Sequence, residues 1–368
     1  MANINDYLLW RGDIPLNTQY KFNEIDSMIL ARFSYLLFNK IEMKDEETIE
    51  SISNKMKDFE NDEFLYNGDK ELIINLGSSI RFKNMIVTDY INSADKDIEK
   101  QFGAITVHLS TDEMYISYIG TDSTINGWKE DFNMAFMESV PCQISGLKYL
   151  ENMAKKYPNK KIRIGGHSKG GNVAIYSAIT SCREVQDRII KVDNYDGPGF
   201  SSSIIKQYKN EEIIKNIETF IPQESIIGRV LNHKEKMTIS LSTEKGVLQH
   251  DIYSWQVVGT KMLKSEKITN NSEEFNKTLV DWLENTTNEQ RKVFIDTVFE
   301  LFYSTEAESF GEIMQKFPIS LSRILKKYQQ LSEEDKKIMT DMVKIFLGSY
   351  VNVIKTREKN KFNIIKYN

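Results

Sequence analysis

The sequence predicts an α/β fold, a mostly parallel central sheet flanked by helices, followed by a helical C-terminal extension. Three stretches carry that expectation. Residues 161–178, KIRIGGHSKGGNVAIYSA, begin as a short β-favouring run in which Ile162 and Ile164 alternate with Lys161 and Arg163. They then pass through a glycine-framed turn into Val173, Ala174, Ser177 and Ala178 at helical spacing. Residues 189–195, 217–221 and 237–241 read as further strands, the first two ending on the turn-forming segments DGPG and PQES. From about Glu266 the β-favouring runs stop, and long amphipathic segments follow two capping signals, Thr287-x-x-Gln290 and Ser332-x-x-Asp335. An α/β domain over 1–265 and a helical part over 266–368 are therefore expected, with chemistry gathered at the carboxyl ends of the parallel strands.

The elements ahead of the glycine-framed turn follow from periodicity. Phe22, Ile25, Ile29, Phe33 and Leu36 recur at intervals of three and four and predict an amphipathic helix; Ile49, Ile52, Met56 and Phe59 repeat the spacing. The acidic run Asp45-Glu46-Glu47 reads as the solvated start of that second helix. Residues 71–76, ELIINL, read as a buried strand closed by Gly77. In 104–109, Ile105, Val107 and Leu109 alternate with Thr106 and His108, and a second β-favouring run at 115–119 follows a turn, which predicts a hairpin. That run leads into the loop YIGTDSTINGWKEDFNM. A helix over 143–157 delivers the chain to the strand before the glycine-framed turn.

Composition excludes several classes of function. Apolar residues at 40% and charged residues at 27% are ordinary for a globular chain, and a net charge of −5 offers no basic face for nucleic acid. The start, MANINDYLLWRGD, lacks a basic region followed by an apolar run, so no signal peptide is expected. The apolar stretch MILARFSYLLF is short and holds Arg32, so no transmembrane segment is expected either. Two cysteines, Cys142 and Cys182, fit a reducing compartment and hence a cytoplasmic location. Neither they nor the four histidines cluster as metal ligands, so no metal or other cofactor is expected.

Within the turn, Gly166-His167-Ser168-Lys169-Gly170 fits G-x-S-x-G, the nucleophile-elbow pattern. A serine in a sharp strand-to-helix turn holds its Oγ clear of the sheet, and glycines two positions either side remove the side chains that would collide there. A serine hydroxyl is a weak nucleophile, so it needs a base within hydrogen-bond reach and an acid that holds that base in the right tautomer. Of the histidines, His108 precedes the elbow, His167 lies inside it and His233 sits in the charged segment NHKEK, which leaves His250 as the candidate base. In this fold the acid lies between nucleophile and histidine, and Glu224, after the strand at 217–221, is the first candidate. Asp196 is the alternative, with Asp251 and Asp193 behind it. Tyr118, Trp128, Phe132, Tyr253 and Trp255 lie near these motifs, as core residues or as the lining of an apolar pocket.

Four blocks in order, YIGTDSTINGWKEDFNM, GGHSKGGNVA, YDGPGF and QHDIYSWQV, together with DYLLWRGD and FNEIDSMILARFSYL, resemble a bacterial family of α/β-hydrolase-like proteins distantly similar to class 3 (fungal-type) lipases. The resemblance spans roughly residues 5–260. It implies an α/β-hydrolase fold and a serine esterase acting on a small-molecule or lipid ester through an acyl-enzyme. It further implies an oxyanion hole made by Thr121 and the backbone N–H of Lys169, the residue after Ser168. The chain departs from the lipase pattern at Ile119, where those enzymes carry arginine, and at Glu224, where they carry the shorter aspartate. The same triad serves thioester cleavage or acyl transfer equally well, and a hydrolase fold can also serve as a non-catalytic binding protein.

Overall fold

The structure, a computed structural model, describes residues 2–122, 124–207 and 210–366. The chain divides into two compact units. The first comprises Met1–Asp95, Gln101–Gly120 and Pro141–Ile268; the second comprises Lys96–Lys100, Thr121–Val140 and Thr269–Asn368. The second unit thus takes in, besides the C-terminal helices, two short stretches that sequence reading assigns to the domain over 1–265.

The first unit is built on an eight-stranded sheet whose spatial order follows the chain. Its strands are β1 (Glu46–Thr48), β2 (Ile86–Asp95), β3 (Lys100–His108), β4 (Glu113–Ile119), β5 (Lys161–His167), β6 (Ile189–Tyr195), β7 (Ile217–Pro222) and β8 (Lys236–Ser240). Strands β3 and β4 form the expected antiparallel hairpin, β1 pairs antiparallel with β2, and β4 to β8 run parallel. This is the α/β-hydrolase architecture that the sequence predicts. Residues 263–265 lie along β8: Leu241 N donates to Leu263 O at 2.8 Å and Ser265 N to Ile239 O at 2.9 Å.

Helices cover both faces of this sheet. Those of this unit include α1 (Ile4–Arg11), α2 (Glu24–Phe33), α3 (Ile49–Met56), α4 (Asp69–Ser78), α6 (Pro141–Lys156) and α7 (Lys169–Thr180), while α5 (Ile125–Asn133), between α4 and α6 in the chain, belongs to the second unit. Alternation along β4 sorts the faces. Tyr115 points to α2, where its hydroxyl meets Ser27 Oγ at 3.0 Å, and Tyr118 points the other way, donating to Gly146 O of α6 at 2.8 Å.

Two local expectations are corrected. Residues 71–76 are not a strand but lie in α4, with Leu72, Ile73 and Leu76 fully buried and Ile74 44% exposed. A short apolar run does not separate a strand from a buried helix by periodicity. Gly77 does not close this element either: a Cβ there would lie 2.2 Å from Ser53 Oγ, so the glycine lets α4 cross α3 closely. Nor are Glu46 and Glu47 a solvated helix start. They belong to β1, and Glu47 is buried with its carboxylate on Lys55 Nζ at 2.6 Å and Ser51 Oγ at 2.6 Å, while Thr48 caps α3. Strand β2 carries no clean alternation of apolar residues, so its sequence gives no sign of it.

The second unit is helical, with Asn270–Glu284, Asn288–Tyr303, Phe310–Gln315, Phe317–Gln330 and Glu333–Lys366 joining α5. Its small core gathers Ile125, Ile295, Phe299 and Ile313. The capping box at Thr287 and Gln290 forms, and Ser332 Oγ accepts from Asp335 N at 3.0 Å. Among the described residues no helix is long and apolar enough to cross a membrane.

Candidate active site

Ser168 sits between β5 and α7 at φ 57° and ψ −133°, a left-handed region that a non-glycine residue occupies only under constraint. Its neighbours supply that constraint. A Cβ on Gly166 would lie 2.3 Å from the carbonyl carbon of Gly170, and one on Gly171 would lie 1.9 Å from Asn194 Oδ1, so strand and helix meet closer than side chains permit. Ser168 N donates to Tyr195 O at 2.9 Å, tying the turn to the neighbouring strand. The residue is half-buried and, among the described residues, its Oγ makes no hydrogen bond.

The loops after β6, β7 and β8 converge beside this turn because parallel strands send their carboxyl ends to one edge. His250 closes a short 3-10 turn, Gly246–His250, after β8, and its Nδ1 lies 2.7 Å from Asp196 Oδ2. Asp196 follows β6 at φ 52° and is 1% exposed. Its other oxygen, Oδ1, accepts from Ser225 Oγ at 2.5 Å and from Gly228 N at 3.1 Å, both in the loop after β7. A buried carboxylate needs such donors. In that contact Nδ1–H of His250 donates to the carboxylate, which leaves Nε2 as the ring's acceptor.

The carboxylate on His250 is thus Asp196 and not Glu224, the first candidate from the sequence. Glu224 supports the histidine's loop instead: Gly246 N, at φ 55°, donates to Glu224 Oε2 at 2.5 Å, and Glu224 N donates to Gln249 Oε1 at 2.8 Å. The other two carboxylates are elsewhere. Asp251 caps its own turn, accepting from Tyr253 N at 3.0 Å. Asp193 is enclosed, and burial pushes its carboxyl up to about 6.

His167 has a role that sequence reading leaves out. Its Nε2–H donates to the carbonyl of His250 at 2.8 Å, and the two rings lie 4.5 Å apart at 33°. Burial, then the neighbouring charges of His250 and Arg32, hold its imidazole well below the usual range, so the ring is neutral. The remaining histidines are outside the cluster. His108 Nε2 meets Thr88 Oγ1 at 3.1 Å, and His233 Nδ1 meets Glu235 Oε1 at 2.7 Å.

Lys169 begins α7, which places its backbone N–H at the helix N-terminus, and its buried ammonium meets Gln101 Oε1 at 2.7 Å. Thr121 opens the second stretch of the second unit, where its hydroxyl donates to the Asp131 carboxylate. Of the aromatic residues near the motifs, Tyr118 and Trp255 are core, and Trp255 Nε1 holds Gln249 O at 2.7 Å. Tyr253 donates to Asp69 Oδ1 at 2.8 Å. Trp128 and Phe132 pack within the second unit, against Phe310 and Phe299. Ser225, Gly228 and Gln249, which hold the carboxylate and the histidine loop, carry no motif that sequence reading can use.

Residues 76–300 match the family model described as Mbeg1-like. No curated protein matches the sequence. Among solved structures, a fungal lipase in an inhibitor complex is 12% identical with a TM-score of 0.40, covering 66% of this chain and 85% of its own. A mutant of MDLA from Penicillium cyclopium is 13% identical with a TM-score of 0.39, covering 70% and 91%. M37 lipase is 16% identical with a TM-score of 0.36, covering 56% and 69%.

Proposed function

We propose that this chain, which belongs to the Mbeg1-like family, is a serine hydrolase of ester bonds working through Ser168, His250 and Asp196. The observation that carries the reading is the 2.7 Å contact of His250 Nδ1 with the buried carboxylate of Asp196, at the sheet edge where Ser168 stands in a strained elbow. His250 Nε2 takes the Ser168 proton as Oγ bonds to the ester carbonyl carbon, and Asp196 stabilises the imidazolium that forms. The Oγ–Nε2 hydrogen bond forms when substrate binds, since catalytic contacts absent or long in the free enzyme are commonly completed only in the substrate complex. Charge on the carbonyl oxygen is met by the backbone N–H of Lys169 at the start of α7. Collapse of the tetrahedral species expels the alcohol with the proton from His250, and water then releases the acyl group from Ser168 by the same route.

A fluorophosphonate probe tests this directly. The wild-type protein should take one label, Ser168→Ala none, and a panel of esters of increasing chain length should be hydrolysed by the first and not by the second. Thioesters in the same panel report how far the leaving group can vary. Absence of label on wild type, or label that survives in Ser168→Ala, would overturn the assignment.

A further inference from the structure

Between the elbow and the N-terminal helices lies a buried ion pair ringed by half-buried phenols that the reaction above does not use. Arg32 of α2 and Asp69 of α4 are each 1% exposed and form a bidentate pair, Nε to Oδ1 at 2.7 Å and Nη2 to Oδ2 at 2.5 Å. The Arg32 guanidinium lies 4.3 Å from the ring centre of Tyr66, 4.7 Å from that of Tyr35 and 5.9 Å from that of Tyr253. Two of these phenols reach out of the cluster. Tyr253 donates its hydroxyl to Asp69 Oδ1 at 2.8 Å, and Tyr35 donates its own to the carbonyl of His167 at 2.7 Å.

Those contacts fall on either side of the reacting pair. Tyr253 is three residues beyond His250, and the carbonyl that Tyr35 holds belongs to the residue before Ser168. His167 then completes a circuit by donating to the His250 carbonyl at 2.8 Å. The circuit runs Arg32, Tyr35, His167, His250, Tyr253, Asp69 and back to Arg32, so one buried cation lies against the two phenols that flank the hydroxyl and the imidazole. A desolvated ion pair is an expensive way to fill a core, since apolar residues of similar volume are often as stabilising. What it offers is direction: a bidentate guanidinium–carboxylate pair has one geometry.

We propose that the Arg32–Asp69 pair is a positioning element that sets the distance between Ser168 Oγ and His250 Nε2, acting through Tyr253 and Tyr35. This rests on the reading of Ser168 and His250 as nucleophile and base. Burial and the nearby Asp69 charge hold the Tyr253 phenol well above its usual range, so it stays a donor throughout the working pH range.

Tyr253→Phe and Tyr35→Phe each delete one hydroxyl and keep the ring, so both variants should fold. Displacing reacting groups by about 1 Å can cost about 100-fold, and loss of one positioning bond should lower kcat by about 10- to 100-fold with KM within about twofold of wild type. The rate of fluorophosphonate labelling of Ser168 should fall in parallel. In a His250→Ala background, Tyr253→Phe should have no further effect, since its action runs through the imidazole. The downfield proton resonance of the His250–Asp196 bond, absent in Asp196→Asn, should shift or broaden in Tyr253→Phe, and this readout needs no turnover. Wild-type kcat in both phenylalanine variants, an equal fall in the His250→Ala background, or an unmoved proton resonance would each overturn the proposal. Failure of wild-type protein to label at Ser168 is a separate outcome, and sinks the reading of the site itself.

Discussion

Asp196→Asn is the perturbation whose outcome the geometry constrains most tightly. Asparagine has nearly the same shape, so the question is which way its amide faces. Oδ1 of Asp196 accepts from Ser225 Oγ at 2.5 Å and from Gly228 N at 3.1 Å, and an NH2 group at that position would face two donors. The amide oxygen must therefore take the Oδ1 position, which turns the NH2 group towards His250 Nδ1 across a 2.7 Å contact. An N–H aimed at Nδ1 forces the imidazole proton onto Nε2, the atom that should accept from Ser168. Loss of the correct tautomer together with the stabilising charge costs about 10⁴-fold in a serine triad, or about 5.4 kcal/mol at 1.36 kcal/mol per decade. Steady-state hydrolysis of a soluble ester measures it, with circular dichroism to confirm folding. A kcat within tenfold of wild type would refute the assignment of Asp196.

Further outcomes follow from the same contacts. Glu224→Gln keeps an oxygen for the Gly246 N–H that Glu224 Oε2 now accepts, and should leave kcat within about tenfold of wild type; a loss near 10⁴-fold would restore Glu224 as the acid. Because the His167 imidazole is depressed in the folded state, the unfolded chain binds the extra proton first. Stability is then fully present above the unfolded value of about 6.5 and falls as the pH drops below it, by at most about 1.4 kcal/mol per pH unit. Urea unfolding of wild type and His167→Asn at pH 7 and pH 5 should show a flatter dependence in the variant, and equal slopes would count against the buried neutral ring. Arg32→Met leaves Asp69 charged and enclosed, and should lower the unfolding free energy by about 3–5 kcal/mol in the same assay. A change under 1 kcal/mol would show the pair to be hydrated. Gly171→Ala places a methyl 1.9 Å from Asn194 Oδ1 and should cost about 1–3 kcal/mol, with a lowered thermal midpoint as the check.

Much of the sheet is legible in the sequence because its parallel strands are short β-favouring runs ending in turn residues, and β6 begins and ends where the pattern does. The elbow is legible for a similar reason: glycine is the residue type that so close a strand–helix approach demands. The errors have physical causes. Leu72, Ile73 and Leu76 look alike on a strand or on the inner face of a short helix, and only the packing of α4 on α3 separates the two. Glu224 and Asp196 both follow parallel strands, so chain position ranks neither. Which of them meets His250 depends on the φ of 52° at Asp196 and on donors from Ser225 and Gly228, about thirty residues away in the chain. Arg32 is visible only as a charge interrupting an apolar stretch, because its partner Asp69 lies in a segment with no motif.

The borders of the eight-stranded sheet have their own consequence. At one side the outermost member is only three residues long, Glu46–Thr48, and at the other residues 263–265 pair with the end of β8, at Ile239 O and Leu241 N. A short outermost strand and a paired strand end each reduce the open backbone that a second chain could extend, which is one way sheets limit end-to-end stacking and fibril seeding. Deleting the 263–265 segment would expose the β8 rim, and light scattering at rising concentration would register the self-association that follows.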